Sequence, residues 1–187
     1  MELLDYLAPA STPRAFADLA DFFEALQTTP RVQAAWPDLS QFVEACQRAG
    51  PQGGDRRTRV LHNLQRSIAD QLVEEAEVLG GAISLTVASP FFASIAAVES
   101  LAKKLRTREP SILVPVKTSE HFPFDEADVA KFRTKPVTGP LFSNDLRKLH
   151  AKLIEVVCRQ GCLCLSGSAN ATPPALSSIQ NVEVGVL

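Results

Sequence analysis

The chain has 187 residues, of which 45% are apolar, and a formal net charge of −2 at pH 7. This length allows one compact domain with a small appendage, and the apolar content excludes a disordered chain. The apolar stretches are too short to cross a bilayer, and the start, MELLDYLAPAS, lacks the features of a signal peptide. We therefore expect a cytoplasmic protein that does not engage a membrane.

The first fifty residues predict a small helical appendage. Apolar residues recur at helical spacing in TPRAFADLADFFEALQ and again in PDLSQFVEACQRAG. This part is acidic, with seven acidic and three basic side chains. Because Pro51, Gly53 and Gly54 interrupt the pattern, we predict an appendage over residues 1–50 and a main domain over residues 55–187.

The main domain begins with a predicted helix and a βαβ unit. An amphipathic helix is predicted from Asp55 to about Val78, where Gly80 and Gly81 end it. The runs AISLTVAS and SILVPV predict two buried strands, and residues 94–106 predict a helix between them. A strand, a crossover helix and a second strand normally build a parallel pair, so we predict an α/β fold.

The second half of the domain predicts a long connection followed by a hairpin. Residues 117–145 predict irregular structure with a short helix at DEADVAKF, and connections of this length are usually functional or mobile. The runs RKLHAKLIEVV and CLCLSGS predict two strands with Gly161 in the turn. A helical turn is predicted at ATPPALSS and a last strand at NVEVGVL, with no closing element after Leu187.

Three of the four cysteines lie within residues 158–164. Cys162 and Cys164 alternate with Leu163 and Leu165, which predicts small buried side chains in a strand rather than a disulfide framework. A zinc site is the alternative, but no CxxC pair and no histidine at ligand spacing accompany these cysteines. We expect neither a metal nor a cofactor.

The hairpin predicts a catalytic site. Because side chains alternate along a strand, we expect His150 and Lys152 to share one face, with Ser166 and Ser168 on the return strand and Asn170 just beyond it. A histidine can attack phosphorus at neutral pH to form a phosphohistidine. A lysine and an amide can stabilise the charge that develops on the phosphate oxygens without a metal ion. This set therefore suits a phosphodiester.

The segments HAK, GSAN and NVE resemble the HxK, GSxN and glutamate motifs of the phospholipase D superfamily, especially its small nuclease-like branch. The resemblance covers residues 58–187 and implies a mixed β-sheet flanked by helices, with a metal-independent phosphohistidine mechanism. It implies His150 as the nucleophile, Lys152 and Asn170 as phosphate ligands, Ser168 as an assisting residue and Glu183 as the residue that orients a histidine. The family's aspartate five positions after the lysine is replaced by Val157.

The family uses two histidines, whereas this chain carries one HxK motif. His62 and His121 have no lysine two residues later. We therefore expect a second His150 from another copy of the chain across a two-fold axis, or a histidine from a missing C-terminal half. Ligand crevices in open α/β sheets lie at strand ends, so Ser89 and Phe91 are predicted to wall the pocket. The alternative is that Phe91 and Phe92 anchor the core.

The charge pattern favours nucleic acid as the substrate. Residues 101–152 hold eleven basic and six acidic side chains beside the motifs, and basic surfaces bind the phosphate backbone. We predict a metal-independent nuclease that cleaves DNA or RNA, and the resemblance implies a prokaryotic restriction or defence role. Two alternatives stay open: a catalytically inactive scaffold or binding module, and a phospholipase or other small-phosphodiester hydrolase.

Overall fold

One mixed β-sheet organises the chain. A computed structural model describes residues 13–30, 38–50, 57–92, 94–107, 110–116, 137–142 and 150–187. Within them the strands are β1 (Val60–His62), β2 (Ala82–Ala88), β3 (Pro110–Val116), β4 (Val137–Phe142), β5 (Leu153–Cys158), β6 (Gly161–Gly167) and β7 (Val184–Val186). Their order in the sheet is β1-β7-β6-β5-β2-β3-β4.

The pairing of these strands is both parallel and antiparallel. β2 pairs with β3 in parallel, as the βαβ pattern predicts, and β3 pairs with β4 in parallel. All other neighbours among the described strands are antiparallel. The predicted mixed sheet with flanking helices is confirmed.

The helices that the structure describes are α1 (Pro13–Thr28), α2 (Leu39–Ala49), α3 (Ile68–Val78), α4 (Ala96–Leu105) and the short α5 (Pro173–Leu176). The core joins α3 and α4 to one face of the sheet. Its largest fully buried side chains include Leu72, Leu85, Leu101 and Val156, and burying each one stabilises the fold by about 1.5–3 kcal/mol. No described helix has the length and apolar character needed to cross a membrane.

The helix predicted from Asp55 to Val78 is wrong in its first half. Val60–His62 form strand β1, which pairs with β7 in the register Val60↔Val186 and His62↔Val184. Helix α3 begins only after Ser67, whose hydroxyl accepts a hydrogen bond from the backbone N–H of Asp70. The apolar spacing across this region matches a helix, but pairing with the distant strand β7 and the Ser67 cap decide the local structure.

The end of α3 agrees with the sequence. Gly80 and Gly81 have φ angles of 83° and 92°, a left-handed backbone that glycine adopts without steric cost. The backbone N–H of Gly81 donates to the carbonyl of Ala76 over 2.8 Å. The chain therefore turns sharply out of α3 and into β2.

The sequence pattern predicts irregular structure over residues 117–145 and therefore misses strand β4. Gly139 and Pro140 lie inside this strand, and both residues weaken a strand signal in the sequence. Pairing with β3 from Ser111↔Val137 to Val116↔Phe142 forms the strand nevertheless. The helix predicted at DEADVAKF lies outside the described residues.

The hairpin forms with different boundaries from those predicted. β5 begins at Leu153, and Arg159 and Gln160 make the turn, while Gly161 already pairs with Cys158 as the first residue of β6.

The burial predicted for two cysteines is wrong. Leu163 and Leu165 face the core, which places the alternating Cys162 and Cys164 on the opposite, exposed face of the strand. None of the four cysteines forms a disulfide.

The N-terminal helices contact the sheet through a buried ion pair. The carboxylate of Asp18 in α1 is 4% exposed and accepts hydrogen bonds from Nε of Arg59 at 2.7 Å and from the backbone N–H of Val60 at 3.0 Å. Burial lowers the pKa of Arg59, but the hydrogen bond and charge of Asp18, with the charges of Glu75 and Asp21, leave that pKa raised. The division at residues 50–55 stays a prediction.

Candidate active site

Four strand ends meet at one end of the sheet. The last residue of β2 pairs with the first residue of β5 (Ala88↔Leu153), and Leu153 pairs in turn with Ser166 of β6. The end of β6 meets β7 through Ser166↔Val186 and Gly167↔Gly185. This register places the segments next to these ends together: residues 89–91, 150–152, 168–170 and 183.

His150 and Lys152 lie just before β5 rather than within it. The Nζ atom of Lys152 is 3.1 Å from Nδ1 and 3.2 Å from Nε2 of His150. The ammonium of Lys152 therefore lies against the imidazole ring of His150. The predicted pairing of the two side chains therefore occurs, although strand alternation is not its cause.

Ser168 and Glu183 form the other side of the site. The hydroxyl of Ser168 donates to Oε2 of Glu183 over 2.5 Å and accepts from the backbone N–H of Val184 over 3.0 Å. Asn181 donates to Oε1 of Glu183 over 3.4 Å. The buried Glu183 carboxylate is therefore bonded to Ser168 and Asn181 in the described part of the chain, and not to the ring of His150.

The glycine of the GSAN segment allows this close approach. A Cβ on Gly167 would lie 2.3 Å from the carbonyl oxygen of Val184 and 2.5 Å from Cα of Gly185. A larger residue would push β6 away from β7 and break the backbone bond from Ser168 to Val184, which measures 2.9 Å. Gly167 therefore brings Ser168 within reach of Glu183.

A small cavity lies between Lys152 and the neighbouring ends of β6 and β7. Lys152 lines a cavity of about 10 Å³ together with Gly167, Ala169 and Val184. The lysine thus lies beside both the GSAN segment and the start of β7. The structure brings Lys152 together with two of the three motif regions and, through its contact with His150, with the predicted nucleophile.

Asn170 carries an unused amide. Its Oδ1 atom is buried, and its side chain makes no hydrogen bond to any residue that the structure describes. A buried amide oxygen without a partner costs about 1–3 kcal/mol, and such exceptions often mark functional groups. Asn170 is therefore a polar side chain at this end of the sheet whose buried Oδ1 atom has no partner among the described residues.

The segment after β2 contacts both sides of the site. Ser89 is 2% exposed, and its hydroxyl donates to the carbonyl of Phe91 over 2.8 Å and accepts from the backbone N–H of Ala171 over 3.1 Å. Phe91 is 60% exposed, and its ring lies edge-on to His150 with 6.2 Å between centroids. Phe91 therefore flanks the imidazole, whereas Ser89 holds the two loops together.

The other predicted residues are less central. Ser166 is half-buried within β6, and Phe92 packs against the core and bridges to Ala171. Of the two Phe residues, Phe92 is therefore the core anchor. His121 lies outside the described residues.

His62 lies away from the His150 cluster. Its ring is 5.5 Å from that of Phe22 and lines a cavity of about 420 Å³ with Asp21, Glu24 and Arg66, among other residues. Burial lowers the pKa of His62, against the opposing charges of Asp21 and Asp18. Among the described residues, no three His, Cys, Asp or Glu side chains are placed to hold a metal ion.

Two residues near the site are missing from the sequence-based prediction. Asn181 bonds to Glu183, and the fully buried Asn63 bonds to the backbone of Glu183. Asn63 was hidden inside the helix predicted from residue 55. The capping pattern of Ser67 and Asp70 could have moved the helix start past Asn63.

No family model matches the chain, and no curated protein matches it. Among solved structures, yeast tyrosyl-DNA phosphodiesterase is 12% identical with a TM-score of 0.44, over 69% of this chain and 31% of that one. NucT from Helicobacter pylori is 14% identical with a TM-score of 0.38, over 70% of this chain and 83% of that one. Polyphosphate kinase from Porphyromonas gingivalis is 15% identical with a TM-score of 0.39, over 83% and 31%.

The chain spans about a third of the length of the tyrosyl-DNA phosphodiesterase and of the polyphosphate kinase, and most of the length of NucT.

Proposed function

We propose that this protein is a phosphodiesterase of the phospholipase D type that cleaves DNA or RNA without a metal ion. One observation carries the proposal: the His150 ring, in contact with the Lys152 ammonium, lies at the same end of the sheet as Ser168, Asn170 and Glu183. These groups supply a nucleophile, a cationic donor, an amide donor and an oriented carboxylate, which together suit phosphoryl transfer.

The reaction proceeds in two displacements at phosphorus. A lone pair of neutral His150 forms a P–N bond while the bond from phosphorus to the leaving oxygen breaks, and a second histidine gives that oxygen a proton. Water then attacks phosphorus, the P–N bond breaks, and the second histidine takes the proton of the water. His150 is exposed, so a substrate phosphate has access to it.

Lys152 and Asn170 stabilise the transition state in this mechanism. Negative charge grows on the non-bridging oxygens, and donors aimed at them lower the barrier. Removal of one such donor typically costs about 10²–10³ in kcat. The unbonded amide of Asn170 and the ammonium of Lys152 beside the GSAN segment support this role.

Glu183 orients a histidine, and Ser168 holds the Glu183 carboxylate in place. A carboxylate that accepts the second ring N–H fixes the tautomer and stabilises the imidazolium. The 2.5 Å bond from Ser168 holds the buried Glu183 carboxylate just before the start of β7. Glu183 does not bond to His150 within the described residues. In this proposal, the histidine that Glu183 orients therefore comes from the second copy of the chain.

A second copy of the chain supplies the second histidine in this proposal. A two-fold axis at the site would place two His150 rings on opposite sides of one phosphate. The large apolar side chain of Phe91, which lies edge-on to His150, is 60% exposed. Burying it against a second copy would favour association.

The substrate is nucleic acid rather than lipid. The excess of basic residues in 101–152 matches a polyanion. A role in prokaryotic restriction or defence stays a prediction from the family resemblance. An inactive binding module is the second candidate, because Glu183 bonds to Ser168 and Asn181 and not to His150.

The decisive experiment compares wild-type protein with His150→Ala in EDTA. Both are incubated with single- and double-stranded DNA, RNA, phosphatidylcholine vesicles and bis(p-nitrophenyl) phosphate. We expect the wild type to cleave nucleic acid and His150→Ala to lose about 10³-fold or more. His62→Ala is the matched control, because His62 lies away from the cluster, and it should stay active.

Rapid denaturation in alkaline SDS, which preserves a P–N bond, should trap a fragment of a 3′- or 5′-labelled oligonucleotide on the wild-type chain and none on His150→Ala. Sedimentation should show that the active species is a dimer. Cleavage that needs added metal, or equal rates in wild type and His150→Ala, would refute the mechanism. A folded dimer that binds DNA without cutting it would favour the inactive module, and cleavage of lipid or bis(p-nitrophenyl) phosphate alone would favour a different hydrolase.

A further inference from the structure

Asn63 lies fully buried in the turn that follows β1. Its side-chain oxygen accepts a hydrogen bond from the backbone N–H of Glu183 over 2.7 Å. Its Nδ2 atom donates to the carbonyl of Ser178 over 3.3 Å, and its own backbone N–H donates to the carbonyl of Glu183 over 3.1 Å. One residue therefore bonds to both ends of the segment 178–183.

The turn around Asn63 is itself fixed. The side-chain Nε2 atom of Gln71 in α3 donates to the backbone carbonyls of His62, Arg66 and Ser67, at 2.8, 3.2 and 3.3 Å. These carbonyls lie on both sides of Asn63 along the chain. The turn that carries Asn63 is therefore bonded to α3 independently of the segment 178–183.

The position requires an amide. Its oxygen meets a donor and its nitrogen meets an acceptor, so a side chain with only one of these functions leaves a buried backbone group unsatisfied. Leucine has a similar size but offers neither function. A charged aspartate would keep the acceptor but would lose the donor to Ser178 and would place a charge among buried groups.

Glu183 links Asn63 to the candidate active site. The backbone N–H of Glu183 donates to the Asn63 side chain, and its carbonyl accepts from the backbone N–H of Asn63. The carboxylate of the same residue accepts a hydrogen bond from Ser168 in the candidate active site. A shift of the Glu183 backbone would move this carboxylate, and a misplacement of about 1 Å can cost about 10²-fold in rate.

We propose that Asn63 is a positioning residue for Glu183: its amide fixes the backbone where β7 begins, and it acts on the reaction only through the Glu183 carboxylate. The kinetic part of this inference rests on the proposed phosphodiesterase function. The structural part, the anchoring of Glu183, does not depend on that function.

The structural part is tested by hydrogen exchange in wild type and Asn63→Leu. The backbone N–H of Glu183 should lose its protection in Asn63→Leu. The N–H of Leu187, which donates to the carbonyl of Arg59 over 2.9 Å, should keep its protection because β1 and β7 still pair. Unchanged protection at Glu183, or equal loss at both positions, would overturn the anchoring.

The kinetic part is tested with Asn63→Leu, Asn63→Asp and the control Ser67→Ala, all well below their unfolding midpoints. Ser67→Ala removes the cap of α3, so it destabilises the fold by about 1 kcal/mol without touching Glu183. We expect Asn63→Leu to lower kcat about 10²-fold at unchanged KM, and Ser67→Ala to keep both constants.

Asn63→Asp provides a conservative rescue. When its carboxyl is protonated, the C=O accepts from Glu183 and the O–H donates to Ser178, as the amide does. The activity of Asn63→Asp relative to wild type should therefore rise as the pH is lowered, whereas that of Asn63→Leu should not. Two results would contradict the positioning role. One is a fall of kcat in Ser67→Ala as large as that in Asn63→Leu, and the other is a relative activity of Asn63→Asp that does not change with pH. An inactive wild type with the expected exchange pattern would refute the proposed function and leave the anchoring intact.

Discussion

The hydroxyl of Ser168 donates a 2.5 Å hydrogen bond to the carboxylate of Glu183, fifteen residues further along the chain. The same hydroxyl accepts from the backbone N–H of Val184 over 3.0 Å. Ser168 therefore closes the end of β6 onto the start of β7, and it satisfies a buried carboxylate at the candidate active site.

Replacing Ser168 should test this link directly. Ser168→Ala removes the bond to Glu183 and leaves the N–H of Val184 without its acceptor, so we expect a loss of about 1–3 kcal/mol in the free energy of unfolding. Urea unfolding measures the loss. Ser166→Ala, two residues earlier and inside β6, should cost less than about 0.5 kcal/mol. Equal effects of the two substitutions would show that the Ser168 bond contributes no stability.

Asp18 should be needed to hold the N-terminal helices on the sheet. Asp18→Ala removes two hydrogen bonds to Arg59, which keeps its ion pair with Glu75, and leaves the buried N–H of Val60 without its acceptor, so we expect a loss of about 1–3 kcal/mol in urea unfolding. Glu44→Ala breaks an exposed pair with Arg48 in α2 and should cost less than about 1 kcal/mol. Similar losses for both variants would mean that burial of the Asp18 pair has no energetic consequence.

His62 should make the fold less stable at mildly acidic pH. Burial lowers its pKa in the folded chain, so the native state binds fewer protons than the unfolded state. The stability that this provides is complete above the unfolded pKa of about 6.5 and is lost as the pH falls below it. We expect the free energy of urea unfolding to depend less on pH in His62→Gln than in the wild type between about pH 6.5 and 5. Gln65→Ala, in the same cavity wall, should keep the slope of the wild type; a slope unchanged in His62→Gln would assign it to other groups.

The four cysteines should divide into two reactivity classes. Cys162 and Cys164 are exposed, whereas Cys46 and Cys158 are buried. Burial raises the pKa of Cys46, Cys158 and Cys162 alike, so exposure and not thiol pKa separates the two classes. Because a buried thiol is shielded from a reagent in solution, Ellman's reagent should modify two thiols quickly in the native chain and all four in urea. Cys162→Ser with Cys164→Ser should remove the fast phase. Four equal rates in the native chain would contradict the side-chain alternation of β6.

The sequence was most informative where one local signal decides the structure. Gly80 and Gly81 end α3 because only glycine adopts their backbone angles easily. The β2–α4–β3 unit follows from apolar runs and connection length, and it forms a parallel pair as predicted. The same signals misled where two structures share one pattern, since Val60 and Leu61 fit a helical stripe as well as they fit strand β1.

The sequence by itself determined which chemical groups are available: an imidazole and an ammonium two residues apart, a GSAN segment and a later glutamate. Only the tertiary structure decided how they meet, because the distances depend on strand register between distant segments. That register placed Lys152 beside Gly167, bonded Glu183 to Ser168, and brought the buried Asn63 of β1's turn against the start of β7. No local pattern could have specified these contacts, since each joins residues whose proximity is set by pairing across the sheet.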